Sequence, residues 1–134
     1  MPENSDKNVC NSTEFDAATI INNMIYLFRG EYYFTIDSNR RIQRRGRKIS
    51  DDFIGLPNNL DAGVTTTNGT TYFFKGDQYY QARGRRIESG PRLISSHFRN
   101  IPNNLDAAFT YTKDGLIYFI KSEQELCLIM LVQM

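Results

Sequence analysis

The sequence predicts an all-β fold, a partial β-propeller of three repeats whose blades are short antiparallel strands with one helical turn each. Three observations predict it. Pro57-Asn58-Asn59-Leu60-Asp61-Ala62 recurs letter for letter as Pro102-Asn103-Asn104-Leu105-Asp106-Ala107, and Phe15-Asp16-Ala17-Ala18 keeps the same 45-residue interval upstream. Small residues follow every Asp-Ala beat (Ala17-Ala18, Ala62-Gly63, Ala107-Ala108), as innermost strands converging on a narrow axis require. Between beats, aromatic and β-branched runs alternate with turn pairs. A twisted sandwich with accidental internal similarity is the alternative, and two identical hexapeptides at a shared offset weigh against it.

Each element follows from its residues. Met1 to Glu14 is polar and aperiodic, which predicts a flexible lead-in over 1–14. Repeats are expected over 15–59, 60–104 and, in part, 105–126. The small-residue strand of each gives way to a hairpin turn at Asn22-Asn23, Thr67-Asn68-Gly69-Thr70 or Lys113-Asp114-Gly115, where Asn-Gly and Asp-Gly pairs supply positive φ. Apolar strands follow at Ile25–Phe28, Thr71–Phe74 and Ile117–Ile120. A second turn, Arg29-Gly30-Glu31 or Lys75-Gly76-Asp77, leads into Tyr32-Tyr33-Phe34 or Tyr79-Tyr80. A basic stretch then precedes Ile49-Ser50-Asp51-Asp52-Phe53 or Ile94-Ser95-Ser96-His97-Phe98, read as helical turns capped by Ser50 and Ser95. In the third repeat Glu125-Leu126 occupies the place of Tyr79-Tyr80, and 127–134 is expected to be a divergent apolar tail.

Composition narrows the function. With 134 residues, nine Phe and eight Tyr the chain suffices for one sheet-rich core. A net charge of +1 demands neither nucleic acid nor a membrane surface. The longest apolar run, Leu126 to Val132, is far below the roughly 20 residues of a spanning helix. Met1 to Asn8 carries no apolar leader-like run. The sequons at Asn11 and Asn68 point to an extracellular, glycosylated protein. The single histidine, His97, and the absence of a catalytic triad, a His-Glu-x-x-His motif and a phosphate-binding glycine loop predict a non-enzymatic protein.

The order Asp-Ala-Ala/Gly, then Tyr-x-Phe-[Arg/Lys]-Gly-x-x-Tyr-Tyr, then Ile-Ser-x-x-Phe before the next Pro and Asp-Ala resembles the hemopexin repeat. Phe28 to Phe34 and Tyr72 to Gln81 are most similar to its vitronectin branch, with the carboxy-terminal domains of matrix metalloproteinases nearly as close. The resemblance covers roughly Cys10 to Glu125. It implies a four-bladed propeller, of which two complete units and part of a third are present, as in a shortened form of a longer protein. The open side would expose strand edges. Cys10 resembles the cysteine that opens the first blade and pairs with one closing the last. Cys127 does not occupy that closing place, so the partner of Cys10 stays open.

The resemblance further implies an axial calcium, sodium or chloride ion, ringed by main-chain groups of Asp16, Asp61 and Asp106 with Ala18, Gly63 and Ala108. The alternative for these Asp side chains is that they cap turns between blades. Haem is not expected, because the family's haem carrier uses histidines that a chain with one histidine lacks. Two basic stretches remain: Arg40, Arg41, Arg44, Arg45, Arg47 and Lys48, and in the next repeat Arg83, Arg85, Arg86 and Arg92. They predict either a patch for heparin-like glycans or a charged outer edge that blocks strand pairing. The function expected is adhesion to matrix proteins, cell-surface partners and sulfated glycans. The alternatives are a substrate-recruiting domain of a secreted metalloproteinase and a fragment related to the haem carrier.

Overall fold

The computed structural model describes residues 14–123 and 126–133. Three antiparallel sheets follow one another along the chain, each a blade built in sequence order. Blade 1 comprises β1 (Ala17–Ile21), β2 (Met24–Arg29), β3 (Tyr32–Ile36) and β4 (Arg47–Lys48), then the helical turn α1 (Ile49–Asp52). Blade 2 comprises β5 (Ala62–Thr65), β6 (Thr70–Lys75), β7 (Gln78–Arg83) and β8 (Arg86–Leu93), then a 3₁₀ turn, Ile94–Ser96. Blade 3 holds β9 (Ala107–Thr110), β10 (Leu116–Glu123) and β11 (Leu126–Gln133).

The small-residue strands lie side by side. Thr19 Oγ1 meets Thr65 Oγ1 at 2.8 Å, and Thr110 Oγ1 donates to the Thr65 carbonyl at 3.0 Å. Thr65 thus meets its counterpart Thr110 on one side and Thr19, one place earlier in its own repeat, on the other, so the innermost strands of successive blades stand side by side. The partial propeller is the observed architecture.

The repeated hexapeptide is a strap between blades. Asn59 and Asn104 both adopt φ 56°, a left-handed conformation that asparagine tolerates better than most residues. Their amides donate to the carbonyls of Gly30 and Gly76, in the preceding blade's second turn. Lys75 Nζ and Lys121 Nζ, from the following blade, donate to the carbonyls of the same asparagines at 2.6 and 2.8 Å. Leu60 and Leu105, the next residues, are buried between the sheets.

Asn22 and Asn23 both take positive φ, 52° and 65°, forming the two-residue turn whose twist suits a hairpin. In the corresponding turns of the other repeats the positive φ falls to Gly69 and Gly115. Asn68 and Asp114 act through their side chains instead, accepting the amides of Thr70 at 3.1 Å and Leu116 at 2.9 Å.

Two expectations are corrected. Ser50 and Ser95 do not cap the helical turns; Lys48 and Leu93 hold the capping positions, with no side-chain cap bond. The leading amides of Ile49 and Ile94 are satisfied from a distance, by the carbonyls of Glu31 and Asp77 at 2.9 Å. Burial of both isoleucines fixes that docking and makes a serine cap unnecessary. Secondly, Glu125-Leu126 does not take the place of Tyr79-Tyr80: β11 runs antiparallel to β10 along its whole length, so the sequence-divergent stretch 127–134 is paired as far as Gln133. Lys121 pairs with Leu128, whereas its counterpart Lys75 pairs with Gln78. The third hairpin is therefore longer by two residues on each strand. An even shift preserves the in–out alternation, and Ile129 and Met130, rather than Glu125 and Leu126, take the backbone places of Tyr79 and Tyr80.

The core is the set of spaces between blades. The first cluster joins Tyr26, Phe28, Tyr33, Ile49 and Phe53 of blade 1 to Phe73, Tyr80 and Ala82 of blade 2. The second joins Tyr72, Phe74, Tyr79, Ile94 and Phe98 of blade 2 to Ala108, Ile117 and Phe119 of blade 3. The two faces of one sheet thus serve different junctions, so β6 is buried from Thr70 through Phe74.

Candidate functional site

At the start of each repeat the aspartate is committed on both sides. The amides of Asp16, Asp61 and Asp106 donate to the carbonyls of Phe28, Phe74 and Ile120. Their Oδ2 atoms accept the amides of Gly30, Gly76 and Ser122 at 2.7, 2.7 and 2.6 Å. These carboxylates fasten the second turn of blades 1 and 2 and the extended strand β10 of blade 3, and among the described residues no His, Cys, Asp and Glu side chains cluster as metal ligands. Ala18, Gly63 and Ala108 line the axial cavity of about 470 Å³, with Thr65 and Thr110 beside them. A hard cation on this axis would be held by main-chain groups and threonine hydroxyls, not by the aspartate side chains.

The basic residues divide into two sets. Asp37 organises the loop after β3: its Oδ1 accepts the amides of Asn39 and Arg41, both at 2.9 Å. An isolated bridge pairs Ile36 with Ile42. Arg40, Arg41, Arg44 and Arg45 are exposed on this extension, and no ion pair engages their side chains among the described residues. Lys48 is exposed on β4, and Arg92 is exposed on β8 opposite Tyr79.

The second set is structural. Arg83 donates to the Asn68 carbonyl and to Thr70 Oγ1, closing the β5–β6 turn. Arg86 approaches Glu88 at 3.5 Å. Arg47 forms a two-pronged pair with Asp52, Nε to Oδ2 at 2.7 Å and Nη2 to Oδ1 at 3.0 Å. Tyr33 Oη donates to the same Oδ2 at 2.5 Å. Arg85, on the β7–β8 turn of blade 2, crosses the junction: its Nε donates to Tyr26 Oη at 3.2 Å, and its guanidinium lies 5.8 Å from the ring centres of Tyr26 and Tyr33. One cluster of Tyr33, Asp52, Arg47 and Arg85 thereby ties the two blades' outer ends.

Its electrostatics follow from its contacts. The Arg47 bond holds the Asp52 carboxyl down at about 2. Burial first, then donation to Asp52, pushes the Tyr33 hydroxyl up to about 12. Because the Asp52 value is depressed on folding, its contribution to stability is present above the ordinary carboxylate value and is lost as pH falls towards 2. Asp52→Asn is expected to flatten the pH dependence of the urea midpoint between about pH 5 and 2, by up to about 1 kcal/mol for a pair with one exposed partner. Parallel profiles for the two proteins would remove the linkage.

The sequence reading did not pick out Asp52 or Tyr33, nor the role of Arg29. Arg29 is buried, its guanidinium 5.2 and 4.9 Å from the rings of Phe15 and Phe34. Residue type gives no sign of these roles; position does, since Asp52 stands where the second repeat has His97. His97 packs against Tyr72, Tyr79 and Phe98, at 6.0, 5.6 and 4.7 Å between ring centres. Asn68 is exposed on its turn, whereas Cys10 and Asn11 lie outside the described residues. No helix among the described residues is long and apolar enough to cross a membrane.

The hemopexin family profile matches residues 15–58 and 60–103, the first two blades. Human matrix metalloproteinase-20 is 34% identical over 74 residues, which cover 54% of this chain and 15% of the relative. Human vitronectin is 36% identical over 62 residues, covering 42% and 13%. The chain therefore spans only a small part of the length of these curated relatives. Among solved structures, a hemopexin fold protein from cow pea, CP4, aligns over 86% of this chain and 64% of its own, with a TM-score of 0.67 at 19% identity, a likeness of fold.

Proposed function

This chain belongs to the hemopexin family, and on that premise we propose that it is a non-enzymatic binding module of the extracellular matrix, engaging sulfated glycans through the basic extension of blade 1. The observation that supports this reading is that Arg40, Arg41, Arg44 and Arg45 stand exposed on one loop with no ion pair to them among the described residues. Four cations outside any ion pair among the described residues attract a polyanion without first breaking such pairs. Arg92 and Lys48 extend the surface. Arg47, Arg83 and Arg85 serve the fold and contribute only their field.

The test is retention on immobilised heparin. The protein is expected to elute above about 0.15 M salt, where exposed charges are already well screened. The variant with Ala at 40, 41, 44 and 45 is expected to elute below that point with its thermal transition unchanged. Flow-through of the parent protein at low salt would refute the proposal. The similarity to matrix metalloproteinase-20 favours a second reading, in which the module recruits macromolecular substrates for a protease domain carried elsewhere in the same protein. An axial ion on main-chain groups of the Asp-Ala strands belongs to either reading as a structural element.

A further inference from the structure

We infer that the cleft between blades 1 and 2 is a docking site for an acidic, aliphatic-bearing peptide segment of a protein partner. This rests on the binding-module reading and assigns it a second surface, chemically different from the glycan loop. The cleft encloses about 540 Å³ and is lined by Asp52, Ile54, Arg85, Arg86 and Ile87. Its apolar part is Ile54, 72% exposed, with Ile87, partly buried against the first core cluster. Phe53, fully buried, anchors the residue just before Ile54, and Gly55 at φ 97° turns the chain away just after it. Ile54 is thus held outward on a rigid base.

The charged part is positive. Asp52, the only acid lining the cleft among the described residues, is already paired with Arg47 through two bonds and accepts the Tyr33 hydroxyl. Arg85 is held in place by Tyr26 Oη and by two aromatic faces. The Arg86 side chain is 78% exposed, and its Nη2 donates to Glu88 Oε2 at 3.5 Å. Two guanidiniums set beside the exposed Ile54 and the partly buried Ile87 suit a carboxylate next to an aliphatic side chain. A sulfated glycan matches only the charges and leaves Ile54 in water. Because Arg85 is preorganised, the partner does not bear the entropy of fixing it.

The test uses a fluorescein-labelled nonapeptide of alternating glutamate and leucine, titrated against the full chain at low salt. Ile54→Ser and Arg86→Glu change exposed side chains and are each expected to weaken binding about tenfold. A peptide of alternating glutamate and serine is expected to bind about tenfold more weakly than the parent peptide, marking the apolar contact. Heparin retention of Ile54→Ser is expected to be unchanged, so failure of this inference and failure of the glycan reading are separable. Three results would overturn the inference: no binding of the nonapeptide, equal binding by Ile54→Ser, or a loss in the 40, 41, 44 and 45 alanine variant as large as in the cleft variants.

Discussion

Replacing Phe53 by alanine is expected to cost about 3–5 kcal/mol of folding stability, the largest effect of any single truncation in the first junction. The ring is fully buried and meets four others edge-on: Tyr33 at 5.3 Å, Phe28 at 5.6 Å, Tyr26 at 5.8 Å and Phe73 at 5.9 Å. Three of these belong to blade 1 and the fourth to blade 2, so the cavity would open between sheets. Neither sheet can close it without moving its backbone pairs, and relaxation should be poor. Domains are stable by only about 5–15 kcal/mol, so the variant should lose a large share of the total. The urea midpoint reads the effect, and Phe53→Leu should restore about half of it. A loss below about 1 kcal/mol would mean that the blades are held mainly by something other than this ring.

What makes Phe53 central was partly visible in the sequence. The Ile-Ser-x-x-Phe spacing placed a helical turn after each basic stretch, and the turns are there. What holds them was not visible, because the amide of Ile49 is satisfied by Glu31, in a turn between two other strands. A serine next to a predicted helix start is a local signal, and a distant carbonyl overrode it. The tail shows the same limit. Residues 127–134 match no earlier repeat, yet backbone pairing depends on register and alternation, which a hairpin lengthened evenly on both strands preserves. The Asp-Ala beat was readable because each aspartate answers a glycine or serine amide 14 to 16 residues later, within one repeat.

For the binding surface, sequence located the cations but not their state. Arg40, Arg41, Arg44, Arg45 and Arg47 look alike along the chain, and of these only Arg47 forms an ion pair among the described residues, with Asp52 five residues on. Arg85 and Tyr26 are 59 residues apart, and nothing local marks that contact. The ten charges therefore separate into Arg40, Arg41, Arg44 and Arg45 on one exposed loop, Lys48, Arg86 and Arg92 exposed on outer strands, and Arg47, Arg83 and Arg85 held by contacts within the fold. The separation comes from tertiary packing, which also leaves Ile54 beside Arg85 and Arg86.

Gly90→Ala is expected to destabilise by about 2–4 kcal/mol, and the reason separates two effects usually confounded at glycine. Gly90 lies on β8 at φ 121°, a conformation that side-chain-bearing residues rarely adopt. A Cβ there would stand 2.9 Å from both the Tyr79 carbonyl oxygen and the Tyr80 Cα, and 3.0 Å from Tyr80 Cδ2. The first two are backbone atoms of β7, fixed by pairing with β6 and by burial of both tyrosines. The pairing of β7 with β8 shifts register here, so the glycine lets the outer strand press against its neighbour at an irregular point. Gly55 has a comparable φ of 97° but nothing within 4 Å of the same position. Gly55→Ala should therefore show the conformational cost alone, about 1–2 kcal/mol. The difference between the two urea midpoints measures the collision. Equal midpoints would mean that β8 is free to lift away from β7, and that the second blade does not need its outer strand seated.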